Sequence, residues 1–266
     1  NMEGERVILD RSYRLPQLIH GKANKLIKRV KDRVEKEWTS REEKGEINIH
    51  PVPQLNRLKN GKWLVLARDR YHLDRLEEEL KIEGVYYERN DETSINKRVH
   101  EAILAWEDVR RGKSIDIKRV RRIYTYLKTG EGVSKEHKGM KNADKEKLYN
   151  FDTLSTQYGL LIDKDKPWFK ALENIESHKK TYVRMCLRRK ENIRQGPRIK
   201  LSTIHGSKGS EADNVMLLTD LSRKSDEEYW KQRDSERRVF YVGMTRARNS
   251  LDIVRSQTDR EFTEAF

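Results

Sequence analysis

The sequence predicts an α/β protein in which a parallel sheet carries helices on both faces and is interrupted by a mainly helical insertion. Short, wholly apolar runs alternate with apolar residues at three-to-four spacing near both ends of the chain. Buried parallel strands and amphipathic helices produce those two patterns. From about Thr93 to Gly196 the strand-like runs stop and only the helical spacing continues.

In chain order, Arg6-Val7-Ile8-Leu9 reads as a short buried strand. A helix then starts at Pro16, whose fixed φ suits a first turn, with Leu18, Ile19, Ala23, Leu26, Ile27, Val30 and Val34 on its apolar stripe. Glu46-Ile47-Asn48-Ile49 alternates like a strand, and Trp63-Leu64-Val65-Leu66-Ala67 is a continuous apolar one. Leu73, Leu76 and Leu80 mark a helix closed by Gly84, and Val85-Tyr86-Tyr87 resumes extended structure.

The insertion opens with helical spacing over Ile95, Val99, Ile103 and Trp106, then Ile117, Val120, Ile123, Tyr124 and Leu127. Lys128 to Lys147, rich in glycine and lysine, reads as a mobile loop. Strands return at Ile199–Ile204, Val215–Leu218 and Leu251–Val254, with a helix through Val239, Phe240 and Tyr241. The expected domains are therefore 1–92 with 197–266 for the sheet, and 93–196 for the insertion. Asn1 before Met2, with strand-like sequence already at Val7, is what a fragment of a longer protein would show.

Across 266 residues, 58 lysines and arginines face 44 acidic residues, a formal charge of +14. That balance favours a polyanionic partner such as nucleic acid, without choosing DNA, RNA or a membrane surface. The lone Cys186 excludes an intrachain disulfide and a cysteine-based zinc site, and reads as structural. No stretch approaches the roughly 20 apolar residues that span a bilayer, so a soluble, cytoplasmic protein is expected.

A nucleotide-binding P-loop needs a glycine, four residues, then Gly-Lys-Ser/Thr after a strand. At Gly112-Lys113-Ser114, Glu107 stands where the first glycine belongs, and the preceding residues read as helix. Asp91-Glu92 and Asp226-Glu227 both lie in polar surroundings, unlike a magnesium-binding and water-activating pair at the end of an apolar strand.

Two segments carry chemistry. Leu201-Ser202-Thr203-Ile204-His205-Gly206-Ser207-Lys208-Gly209-Ser210-Glu211 leaves a strand through a glycine-bearing loop. Gly206 and Gly209 permit close backbone approach, Thr203 and His205 offer hydrogen bonds to phosphate, and Glu211 can accept from a sugar hydroxyl. A polar surface turn is the bland alternative. In Glu236-Arg237-Arg238-Val239-Phe240-Tyr241-Val242-Gly243-Met244-Thr245-Arg246-Ala247, Arg246 follows an apolar helical run, where a guanidinium can meet a phosphate with planar, bidentate geometry.

Together these segments resemble two motifs of the UvrD/Rep/PcrA-like superfamily 1 DNA helicases, written Thr-x-His-x-x-Lys-Gly-x-Glu and Arg-Arg-x-x-Tyr-Val-x-x-Thr-Arg-Ala. Ser210 replaces the family's usual leucine. Ser12-Tyr13-Arg14 is similar to the family's Asn-Tyr-Arg-Ser, with serine for asparagine and Leu15 for serine, and Trp63–Arg68 resembles the strand before its inserted subdomain. The resemblance covers roughly 5–90 and 197–255 and implies the second RecA-like lobe of an ATP-dependent DNA helicase. It further implies that Tyr13 stacks on adenine and that Gly209 and Glu211 help bind the nucleotide, Glu211 through the ribose. Arg14 and Arg246 reach the γ-phosphate, while Thr203 and His205 hold single-stranded DNA, near a duplex junction if the insertion grips one. ATP with Mg2+ would be completed by an N-terminal P-loop lobe, and without that lobe these residues are expected to be inactive. The alternative is a non-catalytic nucleic-acid-binding module on a helicase-like lobe.

Overall fold

The computed structural model describes residues 11–141 and 143–266; the strand expected at Arg6–Leu9 lies outside them. The chain divides into two units. The first runs up to Lys81, takes in Tyr87–Asp91 and resumes over Pro197–Phe266; the second comprises Ile82–Tyr86 and Glu92–Gly196. Strands β1 (Glu46–His50), β2 (Trp63–Ala67) and β3 (Tyr87–Arg89) belong to the first unit, and the two-residue β4 (Glu92–Thr93) to the second. The first unit also holds β5 (Ile199–Thr203), β6 (Ala212–Leu218) and β7 (Ala247–Val254).

Its six strands stand in the order β1-β7-β6-β2-β5-β3, and every neighbouring pair is parallel. All five residues of central β2 are buried, as expected of a strand covered on both faces. Because side chains alternate along a strand, Leu64, Leu66, Val215, Leu217, Leu251 and Ile253 share one face. They pack with Ile19, Ala23 and Leu26 of α1 (Gln17–Ile27), Tyr229 of α8 (Arg223–Lys231), and Phe240 and Met244 of α9 (Arg233–Met244). Leu218 and Val254, of opposite parity, line a groove with Tyr71, His72 and Leu76 of α2 (Arg70–Ile82). Helices therefore cover both faces of the RecA-like α/β sheet.

The apolar stripe after Pro16 is shorter than its periodicity implies. α1 stops at Ile27, and Val34 lies in the following segment at 67% exposure. The chain turns there because Arg29 and Val30 donate three residues back, to Leu26 and Ile27, in tightened bonds that close a helix end.

Two buried carboxylates hold the sheet to its surroundings. Asp252, inside β7, accepts from both Nε and Nη2 of Arg57 (2.9 and 3.1 Å) and from Asn48 (3.0 Å), with His50 Nε2 3.2 Å away. Glu236 of α9 takes a two-pronged bond from Arg68, just after β2 (2.8 and 2.9 Å). Such bonds offset the cost of removing a carboxylate from water.

The second unit is helical, with α3 (Lys97–Arg110), α4 (Ile117–Tyr126), α5 (Phe151–Gln157), α6 (Trp168–Ala171) and α7 (Ser177–Arg188). Asn96 and Asp116 cap α3 and α4, each side-chain oxygen accepting two backbone N–H groups of the first turn. Ile103, Trp106, Ile123, Tyr124 and Cys186 join its core, and burial pushes the Cys186 thiol up to about 12, as for an inert structural cysteine. The segment expected to be a mobile loop is packed instead. Val133 and Met140 are buried, and the Lys138 ammonium donates to the carbonyls of Tyr124 and Leu127 (both 2.5 Å), satisfying the end of α4. Among the described residues no helix is long and apolar enough to cross a membrane.

Candidate functional site

Strand register separates the predicted site residues into two groups. Thr203 ends β5 and is level with Ala67, while Leu66 is level with Leu217. Thr203 thus stands at the carboxyl end of the strands. Glu211 precedes Ala212, which pairs with Ala247 at the start of β7, and so stands at the amino end. About six residues at roughly 3.3 Å each put ~20 Å between these levels. The segment between Thr203 and Glu211 is therefore a strut that joins the two ends of the sheet.

The strut packs under α9. Ile204 is buried, and a Cβ on Gly243 would come within 3.0 Å of Leu217 Cδ1 and 3.5 Å of Ile204. Ser207 is also buried, its N–H donating to Thr203 O (3.0 Å) and its hydroxyl to Ile204 O (2.7 Å). Gly209 has φ +84°, with open space where a Cβ would stand. Glycine is needed there for the left-handed turn rather than for lack of room.

At the amino end, Arg14 Nη1 donates to Glu211 Oε2 (3.4 Å), and Arg248 donates to Glu211 Oε1. The bond from Arg248, more than that from Arg14, holds the Glu211 carboxyl below its ordinary range. Arg246 differs from both. Its Nε donates to Val242 O (3.0 Å) and its Nη1 to Ser210 O (3.3 Å), and among the described residues no carboxylate lies within ion-pair distance. Burial, and secondarily the like charge of Arg14, lower its pKa. Arg14 Nε is itself buried with no hydrogen-bond partner among the described residues. Arg14 and Arg246 thus feel each other's positive charge, and Arg246 has no carboxylate within ion-pair distance among the described residues to offset it.

Tyr13, adjacent to Arg14, is 83% exposed, with the Arg11 guanidinium 5.6 Å from its ring centroid. Its ring is available for stacking. Tyr241 on α9 is half-buried; burial raises its pKa, while Arg14 and Arg246 pull it down, marking it as a neighbour of both. At the carboxyl end, Thr203 Oγ1 accepts from Gly206 N (3.0 Å) and keeps its hydroxyl proton to donate, and His205 is exposed. Tyr13, Arg14, Glu211 and Arg246 thus cluster at the amino end, and Thr203 and His205 lie apart from them.

Sequence reasoning missed Arg248 and Tyr241. Tyr241 was visible within the helix motif, five residues before Arg246. Arg248 carried no signal beyond being one more arginine; it faces Glu211 because β7 begins at Ala247 and Arg41 braces that start, donating to Arg248 O (2.6 Å) and Asn249 Oδ1 (2.9 Å). Among the described residues no group of three or more His, Cys, Asp or Glu could hold a metal ion.

Residues 84–258 match the UvrD-like helicase C-terminal domain family. Among curated proteins none matches the chain.

Proposed function

This chain belongs to the family of UvrD-like helicase C-terminal domains, and from that premise we propose that it is one lobe of an ATP-driven DNA translocase or helicase. The observation that carries the reading is Arg246, a partly buried guanidinium without a carboxylate partner among the described residues, beside Arg14 and Glu211. ATP binds between the amino end of this sheet and a second lobe that supplies the P-loop and the magnesium ligands. Tyr13 stacks on the adenine and Glu211 accepts from the ribose after exchanging its bond with Arg248.

Arg14 and Arg246 meet the γ-phosphate. Positive charge placed where negative charge develops on phosphoryl oxygens is worth roughly a thousandfold or more in rate. Because both arginines are borne by this lobe, they are in place only when the two lobes close. At the other end of the strut, Thr203 and His205 hold single-stranded DNA by its phosphates, which accounts for movement without sequence preference. The strut, locked under α9 by Ile204 and Ser207, transmits displacement from one end to the other.

In the protein that includes the P-loop lobe, Arg246→Ala should reduce DNA-stimulated ATP hydrolysis by about a thousandfold and leave single-strand binding intact. Unchanged turnover would refute the assignment. The present chain alone should show no ATP hydrolysis.

A further inference from the structure

α8 stands at the carboxyl end of the strands, where Thr203 and His205 lie. Asp69 accepts from Ser222 N (2.9 Å) and Ser225 Oγ (2.7 Å), and Arg68 Nη2 reaches Glu228 (3.5 Å). Arg68 and Asp69 directly follow Ala67, the register partner of Thr203. Tyr229 turns inward against Phe262, with ring centroids 5.4 Å apart, and so fixes the helix about its axis. The next residue, Trp230, therefore points out at 61% exposure, whereas Trp63, Trp106 and Trp168 are buried and Trp38 is half-buried.

The Arg233 guanidinium lies over the Trp230 ring, 4.7 Å from its centroid. Among the described residues Arg233 makes no ion pair, so its charge is free to meet a phosphate. A cation stacked on an indole also restrains the ring, lowering the entropy lost when something stacks on its open side. Arg223 and Glu227, seven and three positions before Trp230 on the same side of the helix, are exposed and paired with each other (3.1 Å), and Lys224, Glu228 and Lys231 are exposed elsewhere on the helix. An exposed indole with a cation stacked on one face and its other face open suits a base carried on a phosphate backbone.

We propose that Trp230 and Arg233 form a stacking platform for single-stranded nucleic acid, the indole taking one nucleobase and the guanidinium the adjoining phosphate. The inference rests on the reading of Thr203 and His205 as backbone contacts, and adds a base contact to it.

The test uses this chain with an oligothymidylate about 16 nucleotides long and an abasic strand of equal length. Trp230→Ala should weaken binding to the oligothymidylate about 5- to 150-fold and leave binding to the abasic strand unchanged. Trp230→Phe should retain most of the affinity, and binding of the oligothymidylate should quench the wild-type tryptophan fluorescence. Equal loss on both strands, or no loss on either, would overturn the platform while leaving the backbone contacts standing. Failure of the wild-type chain to bind either strand would overturn both. The paired Thr203→Ala and His205→Ala substitutions should weaken both strands alike, separating the two readings.

Discussion

Replacing Asp108 by asparagine removes the negative charge on which three cations of the second unit converge. Arg119 lies 2.6 Å from the Asp108 carboxylate, Arg194 3.0 Å and Lys113 3.3 Å, and the Asp108 side chain is 8% exposed. Burial opposes ionisation, but the bonds from Arg119, Arg194 and Lys113 outweigh it and pull the carboxyl from 3.8 to about 2. At about 1.4 kcal/mol per pKa unit, that difference is worth roughly 2 kcal/mol of folding free energy. The partners are 36–65% exposed and screened by water, which brings the expected loss to about 1–2 kcal/mol. For a unit near this size each kcal/mol lowers the melting temperature by about 4–8 °C.

The pH dependence gives the sharper test. A carboxyl depressed on folding adds stability above its unfolded pKa, and that stability is lost as pH falls through the folded value. The gap between wild type and Asp108→Asn should therefore be full from about pH 5 to 7 and shrink between about pH 4 and 2. Hydrogen exchange of the α3 and α4 amides reads this locally, without contributions from the other unit. A gap that stays constant down to about pH 2, or no gap at pH 7, would refute the electrostatic account.

Two further outcomes follow from the first unit. Arg248→Ala removes the main bond depressing the Glu211 carboxyl, so its pKa should rise toward the ordinary glutamate value while remaining held down in part by Arg14; a carboxyl-detected NMR titration measures this, and no movement would show that Arg248 is not the dominant partner. Arg57→Ala leaves the buried Asp252 without its two-pronged donor, with only Asn48 and His50 beside it, and should cost about 2–3 kcal/mol in urea unfolding.

Much of the fold was legible because its signals are local. Trp63–Ala67 could be recognised as a strand because all five residues are buried, and Leu73, Leu76 and Leu80 marked α2 because one face of that helix is. The packing of Val133, Met140 and Lys138 was not legible, since a lysine that satisfies a helix end has the same letter as one in solvent. Nor was the end of α1, where Val30 and Val34 continue the spacing after the backbone has already turned.

The sequence by itself determined the α/β class, the helical insertion, and the residue types that bear on phosphate and base chemistry: Tyr13, Arg14, Thr203, His205, Gly209, Glu211 and Arg246. Only the tertiary structure decided which of them stand together. Strand register sends Thr203 and Glu211 to opposite ends of the sheet although eight positions separate them in sequence. The close approach of Arg14 to Glu211, 197 positions apart, the pairing of Arg248, and the exposure of Trp230 all depend on parallel strands bringing distant segments side by side. Chain order alone carries no trace of that arrangement.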